Sequence, residues 1–460
     1  MSTTVLSRSA KIKWLFSILV PAALLLIPTN DSFTSPMRTF LAVTLFGIML
    51  FGFELVDTMI GSFILMFGYI IFNVAPMTEV LAPWTQDIPW MLLGSLILVE
   101  IVQRTTLLKR IAYFCAIKTG GSYMGIIFAL ITIGIIVSVL IPSSTAVVGL
   151  FIIAYGLCQA LNLGVSLASA GIMIATAMGF MDAYYFVYSP TYIALLYNAV
   201  NQVIPVQPDY VTFFLHNAIF VVGLYIKAFI IGKVAKPKEG LNGKEYFIEQ
   251  RNQLGMLTRD EKKIIIVLLA LVVYLFTQQW HGLSMMYGFV VAPIILFLPG
   301  INIGTTEDVK KANYSTVVFI AACMSIGNAA TYVGIGDAFS AVVYPLLDSA
   351  SPTVFLLIIW VIIVIFNFLM TPAAEMAVFG VPFAQICVDM GINVLPMMYT
   401  FFQGGSNLLL PYEAAMWLVC YGFGAMKMKH FAQLMGIKMV FDLIFLVVAG
   451  IPYWNIIGLL

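Results

Sequence analysis

Long apolar runs, and the placement of charge between them, constrain this chain more than any other feature. Runs of membrane-spanning length recur from Lys13 to the last residue. Threaded across a bilayer from a cytoplasmic N-terminus, they leave 21 of the 22 Lys and Arg residues on one side, with only Arg38 outside. The inner set comprises Arg8, Lys11 and Lys13; Arg104, Lys109, Arg110 and Lys118; Lys227; the eight from Lys233 to Lys263; Lys310 and Lys311; and Lys427, Lys429 and Lys438. This sorting predicts a multi-pass protein of the inner or plasma membrane, with the N-terminus and a central linker cytoplasmic and the C-terminus outside.

Composition removes several classes. Hydrophobic residues are 62% and charged residues 9%, which leaves too few charges for a soluble surface. The net charge is +1, and basic residues are not interleaved with aromatics outside the linker, so no nucleic-acid partner is expected. Cys115, Cys158, Cys323, Cys387 and Cys420 lie singly in apolar runs and read as inert buried thiols. His216, His281 and His430 have no metal-ligand spacing, and Glu54 and Asp57 fall at a solvated cytoplasmic turn. A GxxxxGK[ST] loop, a nucleophile elbow and HExxH are all absent, so neither ATP-driven pumping by that machinery nor an enzyme is expected. The basic N-terminus and the run from Trp14 to Ile27 resemble a signal peptide, but no small-residue cleavage pattern follows, so this is read as the first transmembrane helix.

Helices are predicted at Trp14 to Ile27, Thr39 to Leu55, Thr58 to Ala75 and Ile88 to Val102, followed by a surface stretch from Arg104 to Lys118. Two apolar arms, Met124 to Ile141 and Ala146 to Leu161, then flank Pro142-Ser143-Ser144-Thr145. Each arm serves equally as a full crossing or as half of a re-entrant hairpin. The polar segment 233–263 divides an N-terminal membrane repeat, 1–232, from a C-terminal one, 264–460. The second half follows the order of the first from the opposite side, with a surface stretch near Asp337 to Asp348 and two arms about Pro372. Asp87 and Ser143 are 56 residues apart, and Asn313 and Thr371 are 58 apart, a spacing that predicts inverted-topology repeats. The fold class is therefore an all-α polytopic membrane protein with two such repeats, each holding a re-entrant hairpin and an interrupted helix. Inverted repeats with interrupted helices favour a secondary transporter, because two pseudo-symmetric halves give two states of similar energy that open one site to either side.

Four constellations can carry chemistry. At Pro142-Ser143-Ser144-Thr145, hydroxyls and freed backbone N–H groups can hold an anion and carbonyls a small cation; a turn that merely caps two helices is the alternative. Thr371-Pro372-Ala373-Ala374-Glu375 puts a carboxyl in an apolar run, which is either functional or a helix cap reaching an aqueous vestibule. Two interrupted segments complete the set: one holds Gly179, Asp182, Ser189, Pro190 and Thr191, the other Gly404, Gly405, Ser406, Asn407, Pro411 and Glu413. Asp182, Glu375 and Glu413 are expected to converge with no Lys or Arg placed to neutralise them. Three carboxylates in a dry cavity cannot all ionise, so at least one should bind a proton or a cation.

The stretches LTRDEKKIIIVLLALVVYLF, NYSTVVFIAACMSIGNAATYVGIGDAF and YGFGAMKMKHFAQLMGIKMVFDLIFLVVAGIPYW carry a resemblance that covers nearly the whole chain. It is similar to the divalent anion/sodium symporter family of di- and tricarboxylate and sulfate transporters, within the larger ion-transporter superfamily. The resemblance implies a homodimer joined through a scaffold, a transport domain that moves like an elevator, and substrate held between two Ser-Asn-Thr hairpin tips. Those tips correspond here to Ser143, Ser144 and Thr145 and to Ala373, Ala374 and Glu375. Both tip asparagines are missing, and the family's Thr-Pro-Pro-Asn segments are eroded to Ser189-Pro190-Thr191-Tyr192 and Glu413-Ala414-Ala415-Met416.

Together these readings predict a transporter of a small organic anion, di- or tricarboxylate-like, by symport or exchange, coupled to protons and not obligatorily to sodium. Ser143, Ser144, Thr145, Ser189, Pro190, Thr191, Ser406 and Asn407 would bind substrate, with a sodium ion possible near the first three. Asp182, Glu375 and Glu413 would serve ion coupling. No cofactor beyond a coupling sodium or proton is expected, and the partners are the anion, the lipid bilayer and a second copy of the chain. A cation/proton exchanger on the same scaffold and a non-transporting membrane sensor are the alternatives.

Overall fold

Polar residues that punctuate the apolar runs turn out to be helix caps. In the computed structural model, which describes residues 8–30, 33–53, 55–118, 122–140, 144–206, 209–237, 244–335, 350–368 and 371–460, the described segments are helical or irregular, without a strand. Thr34, Asp57, Ser166, Asn313, Ser351 and Thr371 each accept a backbone N–H at the start of the helix that follows. Such caps satisfy donors that would otherwise be left open in an apolar medium. The tip residue Ser143, the turn residue Glu54 and the stretch from Asp337 to Asp348 lie outside the described residues. Ser144 and Thr145 begin the helix Ser144–Ala160.

Four helices among the described residues are long and apolar enough to cross a membrane: Tyr123–Leu140, Leu167–Tyr185, Tyr314–Val333 and Met428–Ile456. A fifth span arises if Tyr210–Asn217 and Ile219–Ala235, bent by 55°, are taken as one.

The chain divides into two compact units, each assembled from three stretches. The first comprises Met1–Pro89, Ala194–Gln207 and Asn313–Phe402. At its centre the helix Tyr314–Val333 packs on Ser35–Gly52, Thr58–Ile71 and Pro372–Asp389. Thr44 and the fully buried Tyr69 hydrogen-bond at 2.6 Å, and Ser325 and Asn328 donate to the carbonyls of Val80 and Glu79. Gln202 in turn donates to Asn328 at 3.0 Å.

The second unit comprises Trp90–Ile193, Pro208–Ala312 and Gln403–Leu460. Its tightest pairing joins Tyr123–Leu140 to Leu167–Met181. A Cβ at Gly134 would sit 2.3 Å from the backbone of Gly179, and one at Gly179 would sit 2.7 Å from Ile131 Cα, so only glycine allows the two backbones this close. One edge of the unit is tied by ion pairs at 3.1 Å from Arg104 to Asp308 and from Arg110 to Glu261. Arg110 also donates to the carbonyls of Leu254, Gly255 and Met256, clamping the end of the polar linker onto the predicted surface helix, here Leu107–Lys118.

Candidate functional site

Both predicted interruptions are present, and each follows from its residues. The helix Leu167–Met181 tightens into a 3-10 turn over Asp182–Tyr185, and the chain then runs irregularly to the helix Ile193–Asn201. Pro190 disfavours a helical Ser189, and the Ser189 hydroxyl accepts the N–H groups of Thr191 at 3.3 Å and Tyr192 at 3.2 Å. The second interruption lies between the helices Val394–Gly405 and Ala415–Gly422. There Pro411 opens a 3-10 turn, and the Glu413 carboxylate turns back to accept the N–H groups of Leu409 at 3.2 Å and Leu410 at 2.8 Å.

The second unit also holds a charge cluster that the sequence reading missed. Lys227 and Lys438, counted above among the charges of the inner side, are inside helices, Ile219–Ala235 and Met428–Phe445, and are 1% and 0% exposed. They carry no topological information, and their burial corrects the expectation that no Lys or Arg neutralises the site. Lys227 Nζ bonds Asp182 Oδ2 and lies 2.7 Å from Asp442 Oδ1. Lys438 Nζ lies 2.9 Å from Asp442 Oδ2 and 3.4 Å from Asp182 Oδ1. Tyr185 completes the group, donating to Asp442 Oδ2 at 3.1 Å and accepting from Lys438 at 3.2 Å, with its ring under both ammonium groups.

Two formal positive and two formal negative charges make this cluster neutral. Each buried ion costs several kcal/mol of desolvation, which its partners offset only because every charge has two opposite neighbours. Lys438 further donates to the Ser406 carbonyl at 3.0 Å and to Asn407 Oδ1 at 3.2 Å, while the Asn407 amide donates to Gln403. The ammonium thus binds the unwound backbone of the second interruption to the turn of the first.

Of the predicted residues, Asp182, Ser406 and Asn407 gather around this cluster, Ser189, Pro190 and Thr191 form the turn that follows Asp182, and Glu413 holds the second interruption in shape. Glu375 belongs to the first unit, fully buried in the first turn of the helix Pro372–Asp389. Lys227, Lys438, Asp442 and Tyr185 were not foreseen as site residues. The i,i+4 pair Lys438 and Asp442 in GIKMVFDLIF was the available signal, since charges four apart in an apolar helix share a face. Among the described residues, no group of three or more His, Cys, Asp or Glu is arranged to hold a metal ion.

Solved transporters share this fold. A YdaH transporter from Alcanivorax borkumensis, described as having an unusual topology, superposes with a TM-score of 0.53 at 14% identity, covering 98% of each chain. MtrF from Neisseria gonorrhoeae, described as illuminating a class of antimetabolite efflux pumps, gives 0.52 at 13% identity, covering 98% of this chain and 95% of its own. At such identities the likeness is one of fold. No curated protein matches the sequence. The family described as the sodium:sulfate symporter transmembrane region matches residues 8–460, and the chain belongs to that family.

Proposed function

We propose that the protein moves a small organic anion, di- or tricarboxylate-like, across the inner or plasma membrane by symport or exchange. In this reading it acts as a homodimer whose inverted repeats, 1–232 and 264–460, let one unit carry substrate like an elevator. The observation that carries the reading is the pair of interrupted helices joined by a neutral cluster, Asp182, Lys227, Lys438 and Asp442. Unwound backbone at membrane depth is tolerated only where it lines protein or a cavity, and it supplies the donors that a carboxylate needs.

The anion reading gains over cation/proton exchange because Asp182 is neutralised by lysines and Glu413 is engaged by backbone donors. An uncompensated carboxylate cavity was the main argument for a cationic substrate. Ser143, Ser144 and Thr145 with the Ser189-Pro190-Thr191 turn, and Ser406 beside Asn407, remain the proposed substrate contacts. Glu375 is left as the proposed proton carrier.

The test is uptake of labelled succinate, citrate and sulfate into proteoliposomes, with and without imposed proton and sodium gradients. Gradient-driven accumulation of an anion is expected. Flux of cations alone would favour the exchanger, and no flux of either with correctly folded protein would favour a sensor.

A further inference from the structure

An ammonium has three protons to donate. Lys438 Nζ nevertheless has five oxygens within 3.4 Å: Asp442 Oδ2 at 2.9 Å, the Ser406 carbonyl at 3.0 Å, Tyr185 Oη and Asn407 Oδ1 at 3.2 Å, and Asp182 Oδ1 at 3.4 Å. The set combines two carboxylates, a carboxamide, a hydroxyl and the backbone carbonyl of an unwound segment. Lys438 fills this centre as a hydrogen-bond donor, but the donors are the hard oxygens that a small monovalent cation also prefers.

We propose that the Lys438 ammonium is a tethered substitute for a free coupling cation, fixed by its own side chain in an oxygen cage between the two helix interruptions. Three further observations fit it. Lys438 is fully buried, so the charge is never exchanged with solvent in this state. The cage shares both carboxylates with Lys227, so its charge balances with no ion added. The family's description names sodium, whereas Lys438 leaves sodium no room at this cage. The consequence for coupling rests on the transporter reading; the occupancy of the cage does not. A cycle built this way needs no sodium to hold Ser406 and Asn407 in place, so its driving gradient must enter elsewhere.

The test measures cation binding without transport. Purified full-length protein in detergent is melted in a series of sodium chloride concentrations against N-methylglucamine chloride of equal ionic strength. The wild-type titration sets the baseline for any sodium site outside the cage. Lys438→Ala removes the tethered charge and leaves the cage net negative beside Lys227. Sodium, lithium or methylammonium should then raise its Tm saturably, by about 3 °C or more. Adding Asp442→Asn to Lys438→Ala restores neutrality and should abolish that response. A folded Lys438→Ala protein whose response to these cations is no larger than that of the wild type overturns the proposal. Should Lys438→Ala give no folded protein in any salt, Lys438→Met, which keeps the apolar stem and removes the charge, is titrated on the same criterion. Failed uptake in proteoliposomes would leave this result untouched, so the two readings fail separately.

Discussion

Lys227 and Lys438 lie on different helices, yet they share the same two carboxylate partners, Asp182 and Asp442. Four charges therefore respond as one group, and removing any one leaves its neighbours buried and unbalanced.

Lys227→Ala should accordingly destabilise the protein by about 3–5 kcal/mol, the range for breaking a buried pair from one side. Adding Asp442→Asn to Lys227→Ala leaves Lys438 opposite Asp182 and should recover part of the loss. Thermal unfolding of the single and double variants measures both. A double variant that melts below Lys227→Ala by the full cost of Asp442→Asn alone would show that the charges act independently.

Charge in the loops, with Lys227 and Lys438 set aside, still predicts Trp84 and Asp87 outside and Lys244 and Lys310 in the cytoplasm. Single-cysteine variants labelled in intact cells by an impermeant maleimide should react at positions 84 and 87 and stay protected at 244 and 310. External labelling of Lys244→Cys would overturn the topology.

Glu375 sits fully buried at the start of its helix, behind the Thr371 cap. Substituting Gln fixes the side chain in a neutral form of nearly the same shape. Glu375→Gln should keep substrate binding but lose the pH dependence of net uptake, with rates falling about tenfold or more where general proton carriage is needed. An unchanged rate and pH profile would make the residue a structural cap.

Glu261 lies at the polar end of its helix, ahead of the apolar stretch that begins at Ile264. Burial opposes its ionisation, but hydrogen bonds from Thr106, the Thr258 backbone and Arg110, with the Arg110 charge, prevail and hold the carboxyl down to about 2. A depressed folded value means that the stabilisation is complete above the ordinary 4.5 and is lost as pH falls towards about 2. Glu261→Gln should lower Tm at pH 7, and the gap to wild type should narrow below pH 4.5. A gap that is constant down to pH 3 would remove the ion pair as its cause.

Most of the helices, and both interruptions, were legible because their causes are local: apolar length, a capping Ser, Thr, Asp or Asn, and Pro or Gly where a run must break. Ser189-Pro190 and Pro411 marked their turns from sequence alone. Of the charge cluster only the local pair Lys438 and Asp442 was legible, because the other partners are far apart in the chain. Lys227 bonds Asp442 across 215 residues, and no local pattern reports that. The burial of Lys438 was hidden for a related reason: it follows the basic run through Lys427 and Lys429, and only the fold shows that its helix packs it into the protein. Glu413 looked like a free carboxylate in sequence because backbone N–H groups left open by an irregular segment are invisible there.

The near-contact of Gly134 with Gly179 has a mechanical consequence. Two helices held apart by side chains can slide by exchanging rotamers, whereas two backbones in contact have no such lubricant. The arm Tyr123–Leu140 and the interrupted helix that leads to Asp182 must therefore travel as a single rigid strut. Any rearrangement that exposes Asp182 to one side of the membrane carries that arm with it.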